Sequence, residues 1–118
     1  MPMTAADVEA FALSLPETVK GDHGHRPAFR VSKHLFAVIE TDGDEALLYV
    51  DPHERETLLS EAPDALREAR SGSGRLVESW IVVDLAAADP DLVREVLEDG
   101  WRRFATKRAI AARDRVTD

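Results

Sequence analysis

The chain contains no cysteine. That excludes a disulfide framework, a thiolate-held metal and a cysteine nucleophile. It also lacks any long apolar run, and nothing approaches the roughly 20 residues a helix needs to span a bilayer. The start, Met1-Pro2-Met3-Thr4, has neither a basic patch nor an apolar stretch. No secretory leader is expected, and the cytoplasm is the default compartment. Glycine fingerprints are missing too: there is no P-loop, no dinucleotide-binding Gly pattern and no G-x-S-x-G elbow. Ser71-Gly72-Ser73-Gly74 has no lysine after it and reads as linker. Carboxylates are plentiful but show no spacing that marks an acid/base pair. No catalytic residue and no cofactor is therefore assigned.

What is present describes an ordinary globular chain. With 118 residues, the size prior gives one domain over 1–118. Apolar residues at 44% and charged residues at 32% are too many and too balanced, respectively, for a disordered segment. The net charge is −8, which as a whole repels nucleic acid and anionic membranes. The distribution is uneven, however. Lys20, Arg26, Arg30 and Lys33 face only Asp22 within residues 20–34, a stretch that also holds His23, His25 and His34. Arg102, Arg103, Lys107, Arg108, Arg113 and Arg115 face only Asp114 within 101–115. Two basic islands stand in an acidic background, and an anionic partner is to be sought at one of them.

Periodicity sets the element order. Thr4 and Asp7 form a capping box, with Asp in the glutamate position, ahead of Val8, Phe11, Ala12 and Leu15 at helical spacing. Pro16 ends that helix, because its ring disfavours helical geometry in the preceding residue. Phe29 and Val31 alternate with Arg30, which predicts a strand with the apolar pair inward and Arg30 on the other face. Ser32-Lys33-His34 is expected as a hairpin turn, followed by the apolar strand Leu35–Ile39. Asp42-Gly43 is a strong turn signal, and Ala46–Val50 pairs back.

Asp51-Pro52 and Asp89-Pro90 are helix starts, with Asp as the cap and Pro where a missing N–H costs nothing. Leu58, Leu59 and Ala62 are the apolar positions of the second helix. Pro63–Gly74 reads as a loop, and Arg75–Leu85 as one long strand or a bent pair. Val93, Val96, Leu97, Trp101 and Phe104 give the cleanest helical face, in a last helix expected to run to about Arg113. Gly100 inside it implies close packing or a bend. Trp80 and Trp101 are both in register with apolar neighbours and are assigned to the core. The predicted order is α-β-β-β-α-β(β)-α: an α+β two-layer sandwich with an antiparallel sheet of about five strands and helices on one face.

The block Gly24-His25-Arg26-Pro27-Ala28-Phe29-Arg30-Val31-Ser32-Lys33-His34-Leu35-Phe36-Ala37 resembles the signature of the MmcQ/YjbR family. So do Ser14-Leu15-Pro16-Glu17, Asp51-Pro52, Trp80-Ile81-Val82-Val83 and Trp101 to Lys107, in that order and spacing. The chain departs from the pattern at Asp22-His23, where a tryptophan is common, at Arg26 between His and Pro, and at Ser32 in place of a turn glycine. The resemblance implies a CyaY-like or secretion-chaperone-like fold. It also implies a DNA-binding role through paired β-hairpin wings, and it brings no catalytic residues.

On this reading Arg26, Arg30, Lys33 and His34 contact phosphates, with Lys107 and Arg108 as helpers. Phosphate contacts position a protein on DNA without a fixed motif. Against this, the cations of 101–115 complement the dipole of a helix that begins with Asp89, Asp91 and Glu95. They also do not line one stripe. The alternative function is a protein-interaction module, which an exposed apolar patch on the outer face of the sheet would favour. A third is a small-molecule or metal site built on His23 and His25 with Asp22 and His34. A pocket lined by those histidines would favour it.

Overall fold

A computed structural model describes residues 1–117. The chain runs α1 (Ala5–Ser14), β1 (Val19–His23), β2 (Arg26–Val31), β3 (His34–Ile39), β4 (Glu45–Tyr49), α2 (Pro52–Glu61), β5 (Leu66–Arg70), β6 (Leu76–Asp84), α3 (Pro90–Phe104) and α4 (Lys107–Thr117). The strands form one six-stranded sheet in the order β1-β2-β3-β4-β6-β5, with every neighbouring pair antiparallel. The α+β sandwich is as expected, with one strand more than the five read from the pattern.

Helix starts follow their caps. The Thr4 hydroxyl accepts from the Asp7 N–H at 3.2 Å, and the Asp7 carboxylate accepts from the Thr4 N–H at 2.9 Å. The backbone N–H of Thr4 is the main reason the Asp7 carboxyl titrates below its usual value. Asp51 and Asp89 cap α2 and α3 by accepting from His53 and Asp91 N–H, with Pro52 and Pro90 opening the helices. The last helix is not continuous. It breaks after Phe104, and the Thr106 hydroxyl accepts from Ala109 N–H at 3.0 Å to start α4. A threonine cap is sufficient where no Gly or Pro marks the break.

Two corrections concern strands. β5 lies within the segment read as a loop, and β1 precedes the first strand expected. Two-residue loops join β1 to β2 and β2 to β3. Gly24 and His25 close the first (φ +60° and +65°), Ser32 and Lys33 the second (+51° and +69°). Positive φ at both loop positions is the hairpin geometry that matches strand twist. Between β2 and β3 the register shifts, so that Phe29 faces Ala37 while Arg30 faces Leu35. Phe36 is the extra residue of that bulge.

The core lies between the sheet and the helices. Phe29, Val31, Phe36, Ala46, Leu48, Ile81 and Val83 line the inner face and meet Val8, Ala12, Leu15, Val93, Leu97 and Trp101. Trp101 is completely buried, and its indole N–H donates to the Pro16 carbonyl at 3.0 Å. Gly100 is there for close approach: a Cβ at this position would sit 3.2 Å from the Tyr49 carbonyl oxygen.

Among the described residues no helix covers the other face of the sheet. Ala28, Val38, Ala69 and Val82 are nevertheless buried there, outside the main core.

Candidate functional site

The β2–β3 hairpin places the first basic island. Its tip presents Lys33 to solvent, while Arg30 is half-buried on β2 with its guanidinium beside Gly21. The His34 imidazole stacks on the Phe104 ring, with centroids 4.5 Å apart and planes 10° apart. Phe104 in turn meets Tyr49 edge-on at 4.9 Å, and Tyr49 meets Trp80 at 6.0 Å. This aromatic row ties the hairpin tip to the end of α3. Lys107 and Arg108, which open α4, therefore stand at the same end of the molecule as Lys33 and His34.

The six predicted contacts are not equivalent. Arg26 pairs with Glu40 at 2.6 Å and also donates to the His23 carbonyl. Arg108 pairs with Glu17 at 3.1 Å. Arg30, Lys33 and Lys107 make no ion pair among the described residues. Two more cations of the second island are structural. Arg102 and Arg113 converge on Glu98 at 2.9 and 2.8 Å, holding α4 against α3, and Arg113 also lies over the Phe11 ring. The hydrogen bond from Arg113, with that from Arg102 behind it, holds the Glu98 carboxyl below its ordinary value. The dipole reading covers Arg102 and Arg103, in the last turn of α3, and Arg115, in the last turn of α4. Lys107 and Arg108 begin a helix, where cations are unfavourable.

The histidines do not converge. His23 ends β1 and His25 sits in the turn after it, so the pair does not share a strand face. His34 stands on Phe104. Among the described residues no three His, Asp or Glu side chains are grouped as metal ligands.

A second feature lies on the uncovered face of the sheet. Leu35, Val38, Leu47, Val77 and Trp80 line an open groove of about 360 Å³, with His23, Arg26 and Arg70 among its other lining residues. Trp80, assigned to the core from sequence, is half-buried on this face. The sequence did carry a signal for the groove. Continuous apolar runs such as Leu35–Ile39 and Ala46–Val50 supply both faces of a strand, not one.

Residues 13–103 match the family model described as YjbR. The chain belongs to the YjbR family. A solved structure shares the YjbR fold seen here: Deinococcus radiodurans protein DR2400, described as a DUF419 domain. It is 20% identical, with a TM-score of 0.70 over 83% of this chain and 75% of that one. Comparison with curated proteins gives no match. Among the described residues, no helix of this YjbR protein is long and apolar enough to cross a membrane.

Proposed function

We propose that this YjbR-family protein associates with DNA, gripping phosphates with the end of the molecule where the hairpin tip meets the α3–α4 junction. The observation that carries this reading is the His34–Phe104 stack, which joins two basic islands some 70 residues apart in sequence. Arg30, Lys33 and Lys107 are the principal cations, with His34 beside them. Arg26 and Arg108 contribute only by exchanging their carboxylate partners for phosphate.

The acidic remainder of the surface makes such binding weak and salt-sensitive. The competing reading, capture of a partner segment, is favoured by an apolar patch on the outer face of the sheet, and the half-buried Leu35, Leu47, Val77 and Trp80 supply one of modest size. The groove on the open face of the sheet, at about 360 Å³, is at the lower end of sizes for small-molecule sites.

The test is fluorescence anisotropy with labelled duplex DNA across a salt series. Wild type should bind at low salt, with log affinity falling linearly in log salt. Arg30→Glu/Lys33→Glu should lose most of the affinity and reduce the slope by about 2. Absence of binding at about 50 mM salt, where phosphate contacts are strong, sinks the reading.

A further inference from the structure

We propose that the groove on the open face of the sheet is a binding site for a small amphipathic anion, a carboxylate with an aliphatic or aromatic body. Its walls are Leu35, Leu47, Val77 and Trp80, and Val38 forms a floor that is only 2% exposed. Val38 and Ala69 are buried on this face with no helix over them among the described residues, so an apolar body would be held by the same burial.

Charge selects the head group. The lining residues include Arg26, Arg70 and His23 and no carboxylate at all. This is unusual in a chain with 23 acidic residues. The four other described cavities each include acids: Glu54, Glu95 and Asp99 between α2 and α3, Asp84 and Glu45 near the N-terminus, Glu68 beside β5, and Asp7 beside α1.

Both arginines make hydrogen bonds within the protein, and both keep donors to spare. Arg26 uses Nη1 on Glu40 and Nε on the His23 carbonyl, leaving the Nη2 hydrogens. Arg70 uses Nη1 on the Gly74 carbonyl and Nη2 on Glu68, leaving Nε–H. Fixed guanidinium groups with free N–H donors beside an apolar trough match a carboxylate better than a neutral or cationic ligand. Trp80 offers a flat wall for an aromatic body. Arg26 is the one residue this site shares with the proposed phosphate contacts; Leu47, Arg70 and Trp80 belong to the groove alone, and Arg30, Lys33 and Lys107 lie outside it, so variants at those positions separate the two assignments.

The experiment uses the whole chain and the sodium salts of hexanoate, octanoate and decanoate, followed by calorimetry and by tryptophan fluorescence. Octanoate should bind, and each added pair of methylenes should tighten binding up to about tenfold, from the transfer free energy of buried CH₂ groups. Trp80→Phe should remove the fluorescence response and keep the heat, because Trp101 is sealed in the core. Arg70→Gln and Arg26→Gln should each weaken octanoate several-fold. Leu47→Glu, which places a carboxylate in the lining, should abolish binding while thermal unfolding shows a folded chain.

Three results overturn the proposal. One is no heat with octanoate or decanoate up to about 10 mM, an affinity too weak to count as a site. Another is 1-octanol binding as tightly as octanoate, which reduces the groove to an apolar patch. The third is an acidic amphipathic peptide binding where the fatty acids do not, which assigns the face to a protein partner.

Discussion

Asp99 and Gly100 are neighbours on α3 with opposite lessons. Burial, followed by repulsion from Glu95, Glu54 and Glu98, pushes the Asp99 carboxyl above its ordinary value. A raised acid destabilises the folded state in its charged form. That cost is absent below the unfolded value of 3.8 and develops as pH rises through the folded one. Asp99→Asn should therefore stabilise the protein at pH 7, by up to about 0.5 kcal/mol for so exposed a position, and lose the advantage in acid. Thermal unfolding of both forms at the two pH values tests it; an equal gain at both would show that charge is not the cause.

Gly100→Ala runs the other way. Alanine improves helix propensity by about 1 kcal/mol. Its Cβ, however, would meet the Tyr49 backbone oxygen at 3.2 Å, and backbone gives way less readily than a side-chain tip. Overpacking of this kind costs about 1–3 kcal/mol, so the melting temperature should fall.

At the scale of elements, Glu98 is the staple between α3 and α4. Its lowered carboxyl stabilises the fold fully above the unfolded value of 4.5, and that contribution is lost as pH falls through the folded value. Glu98→Gln should free α4 first, which hydrogen exchange would report as faster exchange of amides in 107–115 while those of β3 and β4 are unchanged.

The β2–β3 turn gives a cleaner separation of strain from charge. Lys33 holds φ +69°, where a non-glycine residue is strained by about 1 kcal/mol. Lys33→Gly should raise stability while lowering DNA affinity. A variant that lost both would mean that the lysine side chain also packs.

Elements with a local chemical cause were legible in the sequence. Thr4 with Asp7, the two Asp-Pro starts and Asp42-Gly43 each act within a few residues, and each stands where expected. β5 was not legible, because Leu66-Arg67-Glu68-Ala69-Arg70 is made of good helix formers and is a strand only through pairing with β6. β1 has a single large apolar residue, Val19, which is 65% exposed, so no buried pattern announced it. For the candidate site, the sequence marked the cations but not their partners. Glu40 lies 14 residues from Arg26 and Glu17 lies 91 from Arg108, distances that only the fold closes.

Taken whole, the chain is acidic, and on the proposed DNA reading the end that bears Lys33 and Lys107 should orient as much as attract. Association with DNA at low salt should be steered by that end, and a charge-reversed Lys107→Glu should slow association more than it speeds dissociation. Stopped-flow measurement at two salt concentrations separates the two rates; an effect confined to dissociation would place Lys107 in direct contact instead.

The hydrogen bond from Trp101 to the Pro16 carbonyl carries a consequence for synthesis. The strands β1 to β4 pair in the order in which they leave the ribosome, each with the one before it. The turn after α1 must wait for an indole made 85 residues later. Vectorial synthesis should thus let the hairpins form early, while the α3 partners of the first helix arrive only when the chain is nearly finished. A nascent chain halted before residue 101 would display Val8, Ala12 and Leu15 as an open apolar stripe, attractive to chaperones and proteases alike. The last indole to emerge closes the first helix against the fold.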